Sequence, residues 1–198
     1  MKNSGSKKTE MGTSRAIVTG SLSAVAHHND TSIAESFIDV DAVIIVDVSG
    51  SMGAHDSRNG QMRYDVAIQE LATLQASMPG KLAIIAFSSS VEFVPGGEPE
   101  FEGGGTDLAG ALRFPKICDV EDIKMVVISD GEPGDPTTAL HVAGTIKASI
   151  STVYVGPEGG RGAAFLEKLA RANQGTFGEA ARVVALADTV RPMLMEGK

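Results

Sequence analysis

The chain has 198 residues, 42% hydrophobic and 21% charged, which excludes a disordered chain and allows one domain with a packed core. A formal charge of −8 argues against nucleic acid or an anionic membrane as partner, since either selects a basic face; it suits a cation, or a partner reached through a cation. A single cysteine, Cys118, excludes a disulfide framework and a cysteine-rich zinc site, and makes a reducing, cytoplasmic setting the simpler expectation.

Residues 1–15 are polar, rich in small residues and without period, and read as a flexible tail. Lys2, Lys7 and Lys8 ahead of "AIVTGSLSAVA" imitate a secretion leader. Thr19, Gly20, Ser21 and Ser23 interrupt its apolar stretch, so a cleaved signal is not the expectation. No run reaches the roughly 18 apolar residues a bilayer span needs. Residues 16–36 carry weak apolar content and read equally as an added strand or a short helix, which makes 1–36 an N-terminal extension to a domain over 37–198.

From residue 37 the pattern sharpens. "AVIIVDV" (42–48) is a continuous β-branched run, as in a strand buried on both faces. "RYDVAIQELATLQASM" (63–78) repeats apolar residues at helical spacing and stops at Pro79-Gly80. "KLAIIAFSS" (81–89) is a second strand, and the short alternating "VEFVP" (91–95) an antiparallel edge strand. An acidic, glycine-rich loop (96–105) precedes a helix that Thr106 would cap. Further strands are expected at 123–129, 150–156 and within "TFGEA". Further helices are expected at 136–149, at 161–175 closed by Gly175, and at about 183–196. Strands alternating with helices give an α/β three-layer sandwich: a mostly parallel six-stranded sheet, one short antiparallel edge strand, and helices on both faces.

In such a sheet ligands gather beyond the carboxyl ends of the strands. There the sequence places Asp47, Ser49 and Ser51 after the first core strand, Thr106 in "GGGTDL", and Asp130 in "VISDGEP". Two carboxylates and three hydroxyls, with no histidine, are the hard oxygen donors suited to Mg²⁺, Mn²⁺ or Ca²⁺. Gly50 and Gly53 let the backbone bend closely around a small ion.

"DVSGSM", "GGGTDL" and "ISDGEP" together resemble a von Willebrand factor type A (VWA) domain, also called integrin I-like. Its metal-ion-dependent adhesion site has the pattern Asp-x-Ser-x-Ser, a Thr in a second loop and an Asp in a third. Asp47, Ser49, Ser51, Thr106 and Asp130 match every position, and the element order fits from about 37 to 197. The resemblance implies that the hydroxyls bind the metal directly while one or both carboxylates act through water. A cation held that way keeps its electrophilicity, and an open position favours an external carboxylate. The expected function is therefore non-enzymatic: docking an Asp or Glu of a partner protein through bound Mg²⁺. Relatives that work beside AAA+ ATPases or in assembly systems suggest the partner's setting.

Two other classes compete. A metal-assisted hydrolase or phosphatase would need a base or nucleophile near the ion, and only the same carboxylates could serve. A structural component with a vestigial site needs no metal at all. "DVDAV" (39–43) imitates the paired aspartates of haloacid-dehalogenase-like phosphatases, but Asp39 and Asp41 precede the strand and fall at the wrong rim. The glycine-rich loops lack phosphate-binding spacing. His27 and His28 make a poor chelate, His141 reads as structural, and nothing marks Cys118 as a nucleophile. His55 and Arg58, in "AHDSRNG", either rim the site and shape partner choice or lie in a solvated loop. Glu98, Glu100 and Glu102 crowd the approach to Thr106, where they would repel an acidic ligand or fill the open position.

Overall fold

The computed structural model describes residues 17–115 and 123–179. The tail at 1–15, Cys118 and the expected helix at 183–196 lie outside the described residues. In chain order the elements are α1 (Leu22–Asn29), α2 (Ile33–Ile38), β1 (Ala42–Asp47), α3 (Arg63–Ser77), β2 (Leu82–Phe87), β3 (Val91–Phe93), α4 (Leu108–Arg113), β4 (Lys124–Ser129), α5 (Pro136–Ala143), β5 (Ser149–Tyr154), α6 (Arg161–Ala172) and β6 (Gln174–Glu179). Short 3-10 turns occupy Gly50–Gly53 and Arg58–Gly60.

Six strands among the described residues form one sheet in the order β3-β2-β1-β4-β5-β6. All neighbours are parallel except β3, which runs antiparallel to β2, as expected of the edge. β1 is fully buried because its alternate residues serve two cores. Val43 and Ile45 join Met125, Val127 and Ile150 beneath Leu108 and Leu112 of α4, Ala139 of α5 and Leu166 and Leu169 of α6. Ala42, Ile44 and Val46 join Ile84, Val126 and Ile128 against Ala67, Leu71 and Leu74 of α3. Parallel strands need such two-sided cover, which is why their sequences are apolar runs rather than alternations.

The segment left open between strand and helix forms two helices, the second running on to Ile38. Ser21 caps α1, its Oγ accepting from the Ala24 amide. Ser32 and Glu35 form a reciprocal capping box at the start of α2. Three expected boundaries are corrected. Asp107, not Thr106, caps α4, its Oδ1 accepting from the Gly110 amide at 2.8 Å. The register is set by the Asp107 amide, which donates to the Ser88 carbonyl at 2.7 Å and leaves Thr106 one residue outside the helix. Replacing Asp107 with Ala is expected to lower the unfolding free energy by about 1 kcal/mol in chemical denaturation. α5 ends at Ala143 rather than near 149, because Thr145 and Ile146 turn back on the carbonyls of Val142 and Ala143. α6 ends at Ala172 rather than Gly175. Asn173 ties its side chain to the Leu169 carbonyl at 2.7 Å and gives its own carbonyl to Ile150, drawing the chain into the sheet.

The strand order reverses direction between β1 and β4. Their adjacent carboxyl ends form the topological switch point, where the crevice of an open α/β sheet lies. Asp47 closes β1 and Asp130 follows β4 directly.

Candidate metal centre

Main-chain hydrogen bonds assemble three loops over that crevice. The Val48 carbonyl accepts from the amides of Glu102 and Gly103, and the Gly50 amide donates to the Gly104 carbonyl, so the second loop lies on the first. The Gly134 amide donates to the Thr106 carbonyl at 3.0 Å, so the third loop lies on the second. Thr106 is half-buried and is tied to the third loop by this backbone bond.

Asp47 is wholly buried. Its Oδ1 accepts from the Ser49 amide at 2.9 Å and its Oδ2 from the Ser129 hydroxyl at 2.6 Å. Burial pushes its carboxyl up to about 6; the bonds from Ser129 and Ser49 oppose the shift, and the Asp130 charge adds to it. Ser49 Oγ and Ser51 Oγ lie 3.3 Å apart. Asp130 is 2% exposed and points its Oδ2 at Arg63, whose Nη1 donates at 2.7 Å. Its other oxygen, Oδ1, is buried without a hydrogen-bond partner.

Asp47, Ser49 and Ser51 are thus joined in one network. Asp130 is linked to it through Arg63, whose Nη1 also reaches the Ser51 carbonyl at 3.4 Å. Sequence reading missed Ser129 and Arg63. The parallel register that sets β4 beside β1 was the signal for Ser129. Arg63 had none, since it meets Asp130 across 67 residues.

The residues fit a hard cation on two grounds. The donors are all oxygens, and a buried carboxylate oxygen without a partner is costly unless something positive or hydrogen-bonding reaches it. Among the described residues no group of three His, Cys, Asp or Glu side chains gathers to hold a metal, so hydroxyls would have to complete the ligand set.

The acidic loop does not fill the site with Glu102, whose carboxylate is taken by the hydroxyls of Ser88 at 2.6 Å and Ser90 at 3.0 Å. Phe101 anchors that loop instead, edge-on to Tyr64 at 5.5 Å and close over Gly53. The loop at 54–60 runs along the rim, fastened by Ser57 Oγ donating to the Val155 carbonyl and by Asp56 on Arg63. Asp39 and Asp41 lie before β1, at the opposite end of the sheet.

This sheet order, with helices on both faces and a three-loop crevice at the switch point, is the VWA fold. No protein-family model and no curated protein matches the chain. Solved structures do. An aerotolerance-related membrane protein from Bacteroides fragilis aligns at a TM-score of 0.59 and 16% identity, over 80% of this chain and 100% of that one. A von Willebrand factor type A protein from Catenulispora acidiphila aligns at 0.53 and 21% identity, over 79% of this chain and 42% of that one. The ArnB paralog VWA2 from Sulfolobus acidocaldarius aligns at 0.53 and 17%, over 81% of this chain and 45% of that one. The chain therefore spans the whole of the first but less than half of the other two. Among the described residues no helix is long and apolar enough to cross a membrane.

Proposed function

We propose that the chain is a divalent-metal-dependent protein-binding module. A hard cation, Mg²⁺ in the first instance with Mn²⁺ or Ca²⁺ as alternatives, is held by Asp47, Ser49, Ser51, Thr106 and Asp130. It docks an Asp or Glu of a partner protein. The chemistry the ion supplies is electrostatic attraction for an incoming carboxylate. The protein's part is to hold the hydroxyls together, keep Asp47 and Asp130 oriented, and leave the rim open between the 54–60 and 98–105 loops. The reading is of binding rather than catalysis, and the expected partner belongs to a cytoplasmic assembly system, such as one linked to an AAA+ ATPase.

The observation that carries the reading is the lone buried Oδ1 of Asp130, one strand away from an Asp47 whose burial disfavours its charge. Burial disfavours the charge of Asp47, while Asp130, gripped by Arg63 through Oδ2, leaves Oδ1 bare; a divalent ion would answer both.

The test is affinity capture of partners on the immobilised chain, with Mg²⁺ or with chelator, repeated with Thr106→Ala. Proteins retained by the wild type in Mg²⁺ and lost both with chelator and in the variant are the expected result. Partners that persist in both conditions would make the metal incidental. Sustained hydrolysis of a generic phosphoester, lost in an Asp47→Ala variant, would replace docking by catalysis.

A further inference from the structure

Arg63 opens α3 and turns its guanidinium into the rim, with the side chain 13% exposed. Nε and Nη2 donate to the two oxygens of Asp56, each at 2.7 Å. Nη1 donates to Asp130 Oδ2 at 2.7 Å. Asp56 belongs to the 54–60 loop, which Ser57 fastens to the Val155 carbonyl at 3.1 Å. The planar fork is therefore fixed on one side by a two-bond pair, and on the other it grips Asp130 by one oxygen.

The consequence lies in how many oxygens the crevice can offer. Asp130 has Oδ2 engaged and Oδ1 unpartnered. Asp47 has both oxygens engaged, by the Ser49 amide and the Ser129 hydroxyl. Neither carboxylate stands ready to give two oxygens to one ion. Ca²⁺ takes about six to eight oxygens and commonly uses a carboxylate through both of its atoms; Mg²⁺ wants about six in a compact octahedron and takes them singly.

We propose that Arg63 is a positioning residue that sets ion choice: by occupying Oδ2 it confines Asp130 to a single available oxygen and disfavours Ca²⁺ relative to Mg²⁺ and Mn²⁺. The same guanidinium places a positive charge beside the crevice and weakens its attraction for every cation. The inference rests on the proposed divalent site and is tested so that the two fail separately.

The measurement is calorimetric titration of the whole chain with Mg²⁺, Mn²⁺ and Ca²⁺ as the chloride salts, for wild type, Arg63→Gln and Arg63→Lys. Far-UV circular dichroism in chelator establishes that each is folded. Arg63→Gln removes the charge and the grip, so all three affinities rise and that for Ca²⁺ rises most. The Ca²⁺-to-Mg²⁺ affinity ratio increases at least fivefold over wild type. Arg63→Lys keeps the charge but loses the fork, so Mg²⁺ affinity stays within about threefold while the ratio moves in the same direction. Should Arg63→Gln not fold, the lysine variant decides. Should neither fold, Arg63 is a structural residue and the inference is overturned. A wild type that binds none of the three ions overturns the divalent site itself. A wild type that binds them, with a ratio unchanged within twofold in the folded variants, overturns the role of Arg63 and leaves the site standing.

Discussion

Asp47→Asn is expected to make the metal-free protein more stable at neutral pH and to abolish its response to divalent ions. The Asp47 carboxylate is wholly buried, and its carboxyl titrates near 6 rather than at its ordinary 3.8. A group whose folded value is raised favours folding when protonated, and that favour is lost as the pH climbs from about 4 to about 6. Above that window the folded protein holds a buried charge on the order of 2–3 kcal/mol less favourable than in the unfolded chain. Asparagine keeps the shape, accepts from the Ser49 amide and donates to the Ser129 hydroxyl without carrying charge. The stability difference between variant and wild type, from urea unfolding in chelator, should therefore widen by about that amount between pH 4 and pH 7. A difference flat across the window would mean that burial does not hold the carboxyl up.

Metal should offset that difference. An ion that binds only the folded state at a hundredfold excess over its Kd adds about 2.7 kcal/mol, which raises Tm by roughly 5–10 °C in a chain of this size. Mg²⁺ or Mn²⁺ should give this shift in the wild type and none in Asp47→Asn. Failure of both ions to move the wild-type Tm would favour a vestigial site.

Gly162→Ala should damage the rim from behind. Gly162 lies in the first turn of α6, where its backbone packs on the chain that follows β4. A methyl group there would overlap the Asp130 carbonyl oxygen, and one on Gly131, whose φ is +74°, would overlap the Gly162 carbonyl. Two glycines thus let a helix end and a loop touch backbone to backbone. Neither obstacle is a flexible side-chain tip, so the expected cost is about 2–3 kcal/mol, with weaker metal binding because Asp130 is displaced. Gly134→Ala is the control on the same rim: its methyl would meet the Thr106 carbonyl at an ordinary 3.6 Å, and a change within about 0.5 kcal/mol is expected. Equal losses in the two variants would show that close approach at Gly162 is not what places Asp130.

The sheet was legible because apolar runs such as "AVIIVD" and "KMVVIS" fit only strands covered on both faces, and helical runs separate most of them. The donor residues were legible because strand ends are visible in sequence, so Asp47, Ser49 and Asp130 could be placed at one rim before any contact was known. Local signals were under-read at α2, where Ser32 and Glu35 stand at the capping-box spacing. The cap of α4 was missed by one residue because Thr106 and Asp107 are both capping types, and a bond to distant Ser88 chooses between them. Arg63 was invisible for a different reason. On its own helix it is an ordinary first-turn residue, and its meaning comes from Asp130, which only the sheet order brings within reach.

The loops of the crevice are stitched together by main-chain amides and carbonyls, from Val48 to Gly103, Gly50 to Gly104 and Thr106 to Gly134. Such stitches are blind to side-chain identity. Apart from the anchors Asp56, Ser57, Phe101 and Glu102, the residues of the 54–60 and 98–102 segments can therefore drift in size and charge while the frame beneath them holds still. Evolution, or a designer, can rewrite what this crown recognises without rebuilding the socket it surrounds.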